Sequence, residues 1–141
     1  MTKGRLRPPG GQAPPTSVSI GDGATINLEP LAREICRRYQ LEFPDEKGRY
    51  GDAGNDWCVH DNQHLLHWGA ESVDGFVDMH QEVAWLARVL EARDFPLTRL
   101  ARDLDLAAEV TGERVPGAPG ETLSAVLHDA AAFVRSRATF M

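Results

Sequence analysis

One segment concentrates the side chains best suited to chemistry: Trp57-Cys58-Val59-His60-Asp61-Asn62-Gln63-His64-Leu65-Leu66-His67-Trp68, which carries three of the five histidines. Wound as a helix, it places Cys58, Leu65 and Trp68 within about 100° of Trp57, with Asp61 among them. His60, His64 and His67 form a contiguous edge beside that apolar arc. Imidazoles four residues apart can share one divalent ion, and Asp61 could bind or orient a ligand. Cys58 and His80 are the nearest candidates to complete a metal or haem site on His60, His64 and His67. The competing reading leaves these histidines at a wet helix edge, shielding the tryptophans. The H-E-x-x-H pattern of metalloproteases is not met, because Asp61 stands where that pattern requires the glutamate. No Ser-His-Asp or Cys-His arrangement replaces it, so no enzyme is expected.

Asp61 raises a separate question. A carboxylate among Trp57, Leu65 and Trp68 is costly to bury without a partner. It is either an acid–base group in a pocket or one half of a structural pair, with His80, Arg88 and the Arg49-Tyr50 loop as candidate partners. Trp57, Trp68 and Trp85 could wall a ligand pocket or serve as core. The expected ligand- or partner-binding set is therefore Trp57, Asp61, His64, Trp68 and His80.

Helices must position these groups. Leu28, Leu31, Ile35 and Tyr39 recur at helical spacing, Asn27 or Glu29 can cap that helix, and Pro44 ends it near Glu42. Residues 45–54 read as a polar loop. A second helix starts near Asn55 and reaches Gly69. A third follows Asp74 to Arg93, with Phe76, Met79, Val83, Leu86 and Leu90 on its stripe. Leu97 to Gly112 and Glu121 onward give the fourth and fifth, separated by a Pro/Gly loop over 115–120. The fold class is all-α, about five helices packed as a globin-like or orthogonal or antiparallel bundle. Residues 1–24, with Pro8, Pro9, Pro14 and Pro15, read as a flexible Pro/Gly-rich arm, within which residues 17–20, followed by Gly21-Asp22-Gly23, could form a small hairpin or an extended lead-in to the first helix. Residues 25–141 read as a single helical domain.

The totals exclude several classes. Of the net charge of −6, the arm carries Lys3, Arg5 and Arg7 against Asp22, leaving a strongly acidic body. Such a body is unsuited to phosphate backbones, so no nucleic acid is expected. No apolar run approaches the ~20 residues that span a bilayer, and no secretion signal opens the chain. Cytoplasmic location and reduced Cys36 and Cys58, as small buried hydrophobes, are the corresponding expectations.

Arg49-Tyr50-Gly51, Trp57-Cys58-x-His60-Asp61-x-x-His64-Leu65-Leu66, Val83-x-Trp85-Leu86-x-x-Val89-Leu90-x-x-Arg93 and Leu100-x-x-Asp103-Leu104 together resemble small bacterial globin-like or sensor-type helical domains of regulatory proteins. The likeness spans about residues 30–112. It implies a globin-like or bundle fold, often without haem, and a role in sensing or protein interaction. The helix reaching Gly112 lacks the histidine that haem-holding globins use there. The functional expectation is a non-enzymatic regulatory or ligand-sensing domain, whose partner is another protein or a small apolar ligand. The alternatives are a metal- or haem-binding protein using His60, His64, His67 and His80, and a homodimeric adaptor. No cofactor is expected outside the metal or haem alternative.

Overall fold

The computed structural model describes residues 13–21 and 23–141 of the chain. A two-stranded antiparallel hairpin, β1 (Ser17–Ile20) and β2 (Ala24–Asn27), precedes five helices. These are α1 (Leu28–Glu42), α2 (Asp45–Val73), α3 (Met79–Glu91), α4 (Leu97–Arg114) and α5 (Gly117–Arg135). No helix among the described residues is long and apolar enough to cross a membrane.

The helices form because each presents an apolar stripe that a neighbour covers. Ile35 of α1, Leu65 and Leu66 of α2, Val83 and Leu86 of α3, Leu104 and Val110 of α4, and Leu123 and Leu127 of α5 meet in one core. Strand alternation points Val18 and Ile20 of β1 and Ile26 of β2 into the same core, with Val18 opposite Ile26 in the register. Leu28 N donates to the Thr16 carbonyl at 2.9 Å, and Gln63 Nε2 donates to the Pro15 carbonyl at 3.0 Å. Packing therefore begins well before residue 25, because buried Val and Ile alternate inside a stretch that composition groups with the arm. The arm over residues 1–12 lies outside the described residues.

Four local expectations change. Residues 45–54 are helical, and α2 runs through them with one break at Gly51 (φ 65°, ψ −160°). That backbone is open to glycine and strained for other residues. Asp45 and Glu46, favourable in a first helical turn, outweigh the polar composition that suggests a loop. Phe76 leaves the α3 stripe and is 74% exposed, because α3 starts only at Met79, where Asp78 caps it by accepting from Gln81 N. The fifth helix starts at Gly117, so Pro119 sits in its first turn, where its missing N–H costs nothing. Asn27 occupies the N-cap of α1 without a side-chain cap hydrogen bond.

Cys36 of α1 and Cys58 of α2 are joined by a disulfide, with Cα atoms 5.9 Å apart. The expectation of two free, reduced thiols is overturned: each cysteine projects from its helix into the α1–α2 contact beside Ala32 and Val59. Closing a 22-residue separation stabilises the fold by about 3 kcal/mol in the chain-entropy account.

The break at Gly51 lets residues 45–50 fold back over α1 and α4. Arg99 holds that segment, donating to Asp45 at 3.0 and 3.2 Å and to Glu46 at 2.9 Å, while its guanidinium lies over the Phe43 ring. Gly51→Ala is expected to lower stability by about 1–3 kcal/mol in urea denaturation. Gly48→Ala, where a Cβ meets open space, serves as the control and is expected to be neutral or to stabilise by up to about 1 kcal/mol.

Candidate functional site

The folded-back segment, the middle of α2, the end of α3 and the start of α4, with Tyr39 of α1, line a half-open cavity of about 80 Å³. Its walls are apolar and aromatic: Trp57, Leu65, Leu86, Leu90, Phe95, Leu100 and Tyr50. Its polar lining comes from Tyr39, Glu46, Asp61, Asn62, Arg93 and Asp103. A more polar hollow adjoins it and shares Tyr39, Glu46, Gly54 and Cys58.

Asn62 organises the floor. Its side chain is 1% exposed, and Nδ2 donates to the Cys58 carbonyl and to Asp103 Oδ1, both at 3.0 Å. The same nitrogen lies 3.5 Å from both disulfide sulfurs. Two oxygen acceptors fix which end of the amide is nitrogen, since a flipped amide would set oxygen against oxygen. Asn62 Oδ1 is left buried without a hydrogen-bond partner; among the described residues Thr111 Oγ1 is the other such atom.

Two carboxylates face the same space. Asp103 is 7% exposed; burial raises its pKa to about 7, and the charges of Asp61 and Glu46 add to the effect while the Asn62 hydrogen bond opposes it. Burial also raises Asp61, against the pull of His60 and Arg93. Glu46, by contrast, is already engaged: Tyr39 Oη donates to it at 2.5 Å and Arg99 at 2.9 Å. Burial and that contact hold the Tyr39 hydroxyl protonated. Arg93 also lines the cavity, with its guanidinium 5.4 Å from the Trp57 ring centroid. The cavity thus presents acceptors in excess of donors.

The five residues expected to form one binding set divide three ways. Trp57 and Asp61 line the cavity. His64 and Trp68 lie beside it in a ladder of rings: His60 to His64 at 4.6 Å, His64 to Trp68 at 5.7 Å, and Trp68 edge-on to Trp85 at 6.4 Å. His80 is elsewhere, stacked on Phe133 at 4.1 Å with Nε2 2.7 Å from Asp129 of α5. A helical wheel assigns it to the α3 stripe but not to the neighbour that covers it. Asp61 finds its partner next door in the chain, His60 Nδ1 at 3.3 Å, and not in His80, Arg88 or the Arg49-Tyr50 loop.

The proposed ligand set His60, His64 and His67 does not converge. His60 turns to Asp61, His67 turns to Glu71, and His64 packs between rings. Among the described residues no group of three His, Cys, Asp or Glu side chains is placed to hold a metal ion. Burial, with the charges of His60 and His67, also lowers the His64 pKa to about 4.

Sequence reasoning missed Asn62, Asp103, Tyr39 and Glu46 as site residues. A signal existed for Asp103: it sits between Leu100 and Leu104 on the apolar side of α4, where a carboxylate has no place in an ordinary stripe. Glu46 sits in the helical segment before the Gly51 break, which composition does not announce, and Tyr39 reads from spacing as ordinary α1 core. No family model, curated protein or solved structure matches the chain.

The site makes stability respond to pH in two opposed ways. Asp103 has a raised pKa in the fold, so its contribution is whole below the ordinary 3.8 and is lost as pH rises through about 7. His64 has a lowered pKa, so its contribution is whole above 6.5 and is lost as pH falls through about 4. Asp103→Asn removes the first response and keeps an acceptor for Asn62. The stability of the parent relative to D103N, from urea denaturation, is expected to fall by at most about 1.4 kcal/mol per pH unit from about pH 4 to 7, then level off. A difference independent of pH would refute the assignment.

Proposed function

We propose that this chain is a non-enzymatic, ligand-sensing helical domain whose ligand occupies the cavity between α2, α3 and α4. One observation carries the reading: a mostly apolar, aromatic-walled cavity is lined by the buried amide side chain of Asn62 and by two carboxylates, Asp61 and Asp103. Pockets that recognise small molecules combine apolar walls with a few fixed polar groups in this manner. Stable cores fill such space with side chains instead.

The route from ligand to response is short. The segment 45–50 closes one side of the cavity and is tied to α4 through Arg99, so a ligand that displaces Tyr50 or Glu46 acts on the Gly51 break. On the other side, Asp61 contacts His60, from which the ring ladder through His64 and Trp68 reaches Trp85, 38% exposed. His64 and Trp68 then belong to reporting, to a protein partner or a second copy of the chain, and Trp57 and Asp61 to binding. The resemblance to globin-like and sensor-type bacterial domains fits this role without haem.

Leu90→Phe fills the cavity while changing its apolar character little. As an enlargement, it is expected to cost no more than about 1–3 kcal/mol of stability. A panel of small organic fragments, followed through the Trp57 indole resonance and melting temperature, should contain binders of the parent protein that L90F rejects. Fragments that bind both proteins equally, or no binder at all, would refute the cavity as the ligand site.

A further inference from the structure

We propose that the Cys36–Cys58 bridge is a thiol–disulfide exchange site, at which a small hydrophilic thiol enters the polar hollow beside the cavity and attacks the sulfur of Cys58. The inference does not depend on what the cavity binds; it needs only the bridge and the hollow.

The two ends of the bridge differ in access. Cys36 is 0% exposed, packs with Ala32 and Val59, and lines neither the cavity nor the hollow. Cys58 is half-buried and lines both. Exchange depends on which sulfur a thiolate can reach, so the fold directs attack to Cys58 and makes Cys36 the leaving group. The hollow measures about 240 Å³. One water takes about 10–15 Å³, so a thiol of roughly eight non-hydrogen atoms fits there with room to spare. Gln40, Asn55, Lys47 and Asp52 give the hollow amides, one cation and one anion, while its remaining carboxylate, Glu46, is held by Arg99 and Tyr39. Such a lining suits an uncharged thiol bearing hydroxyl groups better than an apolar one. Asn62 Nδ2 lies 3.5 Å from each sulfur and is fixed there by the Cys58 carbonyl and Asp103. Negative charge developing on the departing sulfur therefore meets the donor end of a pre-positioned amide.

The exchange runs in two steps. The attacking thiolate bonds to Cys58 Sγ as the S–S bond breaks, and the electron pair leaves on Cys36, which takes up a proton. A second thiol then displaces Cys58 from the mixed disulfide. The bridge has gained two electrons and two protons, and the thiols leave joined as a disulfide. With Cα atoms 5.9 Å apart, Cys36 is also placed to attack the mixed disulfide and restore the bridge when thiol is scarce. Because Cys58 lines both spaces, a group carried on its sulfur alters the wall that the hollow and the cavity share.

The chain has no cysteine besides these two, so mass spectrometry follows the bridge directly. The full chain is treated with dithiothreitol at several concentrations, quenched in acid, unfolded, alkylated with N-ethylmaleimide and weighed. Reduction is expected to be first order in dithiothreitol and nearly unchanged by urea below the unfolding transition. A rate that saturates with dithiothreitol, or climbs steeply with urea, would mean that the bridge opens only when the fold does, and would overturn the proposal. Cys36→Ser and Cys58→Ser then separate the two sulfurs, since both variants lose the bridge and differ in which thiol remains. Bis(2-hydroxyethyl) disulfide should label the Cys58 thiol of C36S at least about tenfold faster than the Cys36 thiol of C58S. Equal labelling, or faster labelling of C58S, in folded variants would overturn Cys58 as the attacked sulfur. Where either variant unfolds, the rate law of the unaltered chain decides alone.

Discussion

The buried side chain of Asn62 is the contact on which the rest of this structure turns. It joins α2 to α4 through Asp103, answers the Cys58 carbonyl on its own helix, and lies against the bridge to α1. A hydrophobic residue there would pack the three helices without any need for polar partners. An amide brings the opposite demand, because every group it touches must be placed to suit it. The Cys58 carbonyl, Asp103 and both disulfide sulfurs surround its nitrogen, while its oxygen stays buried without a partner.

The periphery is arranged to hold that space in shape. Arg99 binds the first turn of α2, Arg102 pairs with Glu42, and Arg38 bridges Glu34 and Glu113, so α1 and α4 are clamped along their length by guanidinium–carboxylate pairs. Each exposed pair contributes little to stability alone. Their value lies in orientation: Arg99 ties the folded-back segment to α4, and Glu46 is held between Arg99 and the Tyr39 hydroxyl.

Much of this architecture is legible in the residues. The bounds of α1 follow from Pro44 and the spacing of Leu28, Leu31, Ile35 and Tyr39. The α2 segment that crowds histidine, tryptophan and aspartate is where the cavity lies. What spacing conceals is the third dimension. His60, His64 and His67 share one edge, yet sharing an edge does not make side chains converge, and each rotates to a different neighbour. His80 reads as part of the same region because a wheel has no record of which helix lies opposite. The cysteines read as separate because 22 residues part them in the chain, although α1 and α2 cross where both project. Gly51 carries the largest concealed consequence, since one left-handed residue converts an apparent loop into a helical flap.

The bridge between Cys36 and Cys58 also has a topological consequence. The end of α1, the Phe43-Pro44 corner, the segment 45–50 and the Gly51 break all lie inside the covalent ring it closes. The flap is therefore an arc anchored at both feet and not a free arm: it can tilt about its two corners, but it cannot peel away from α1 and α2. A single backbone cut within that arc would leave two chains still joined through sulfur, with the mass raised only by one water. Such a nick would show itself only after reduction. The same reduction would free one foot of the arc, so the range of motion over the cavity is set by the redox state of its surroundings as well as by what occupies it.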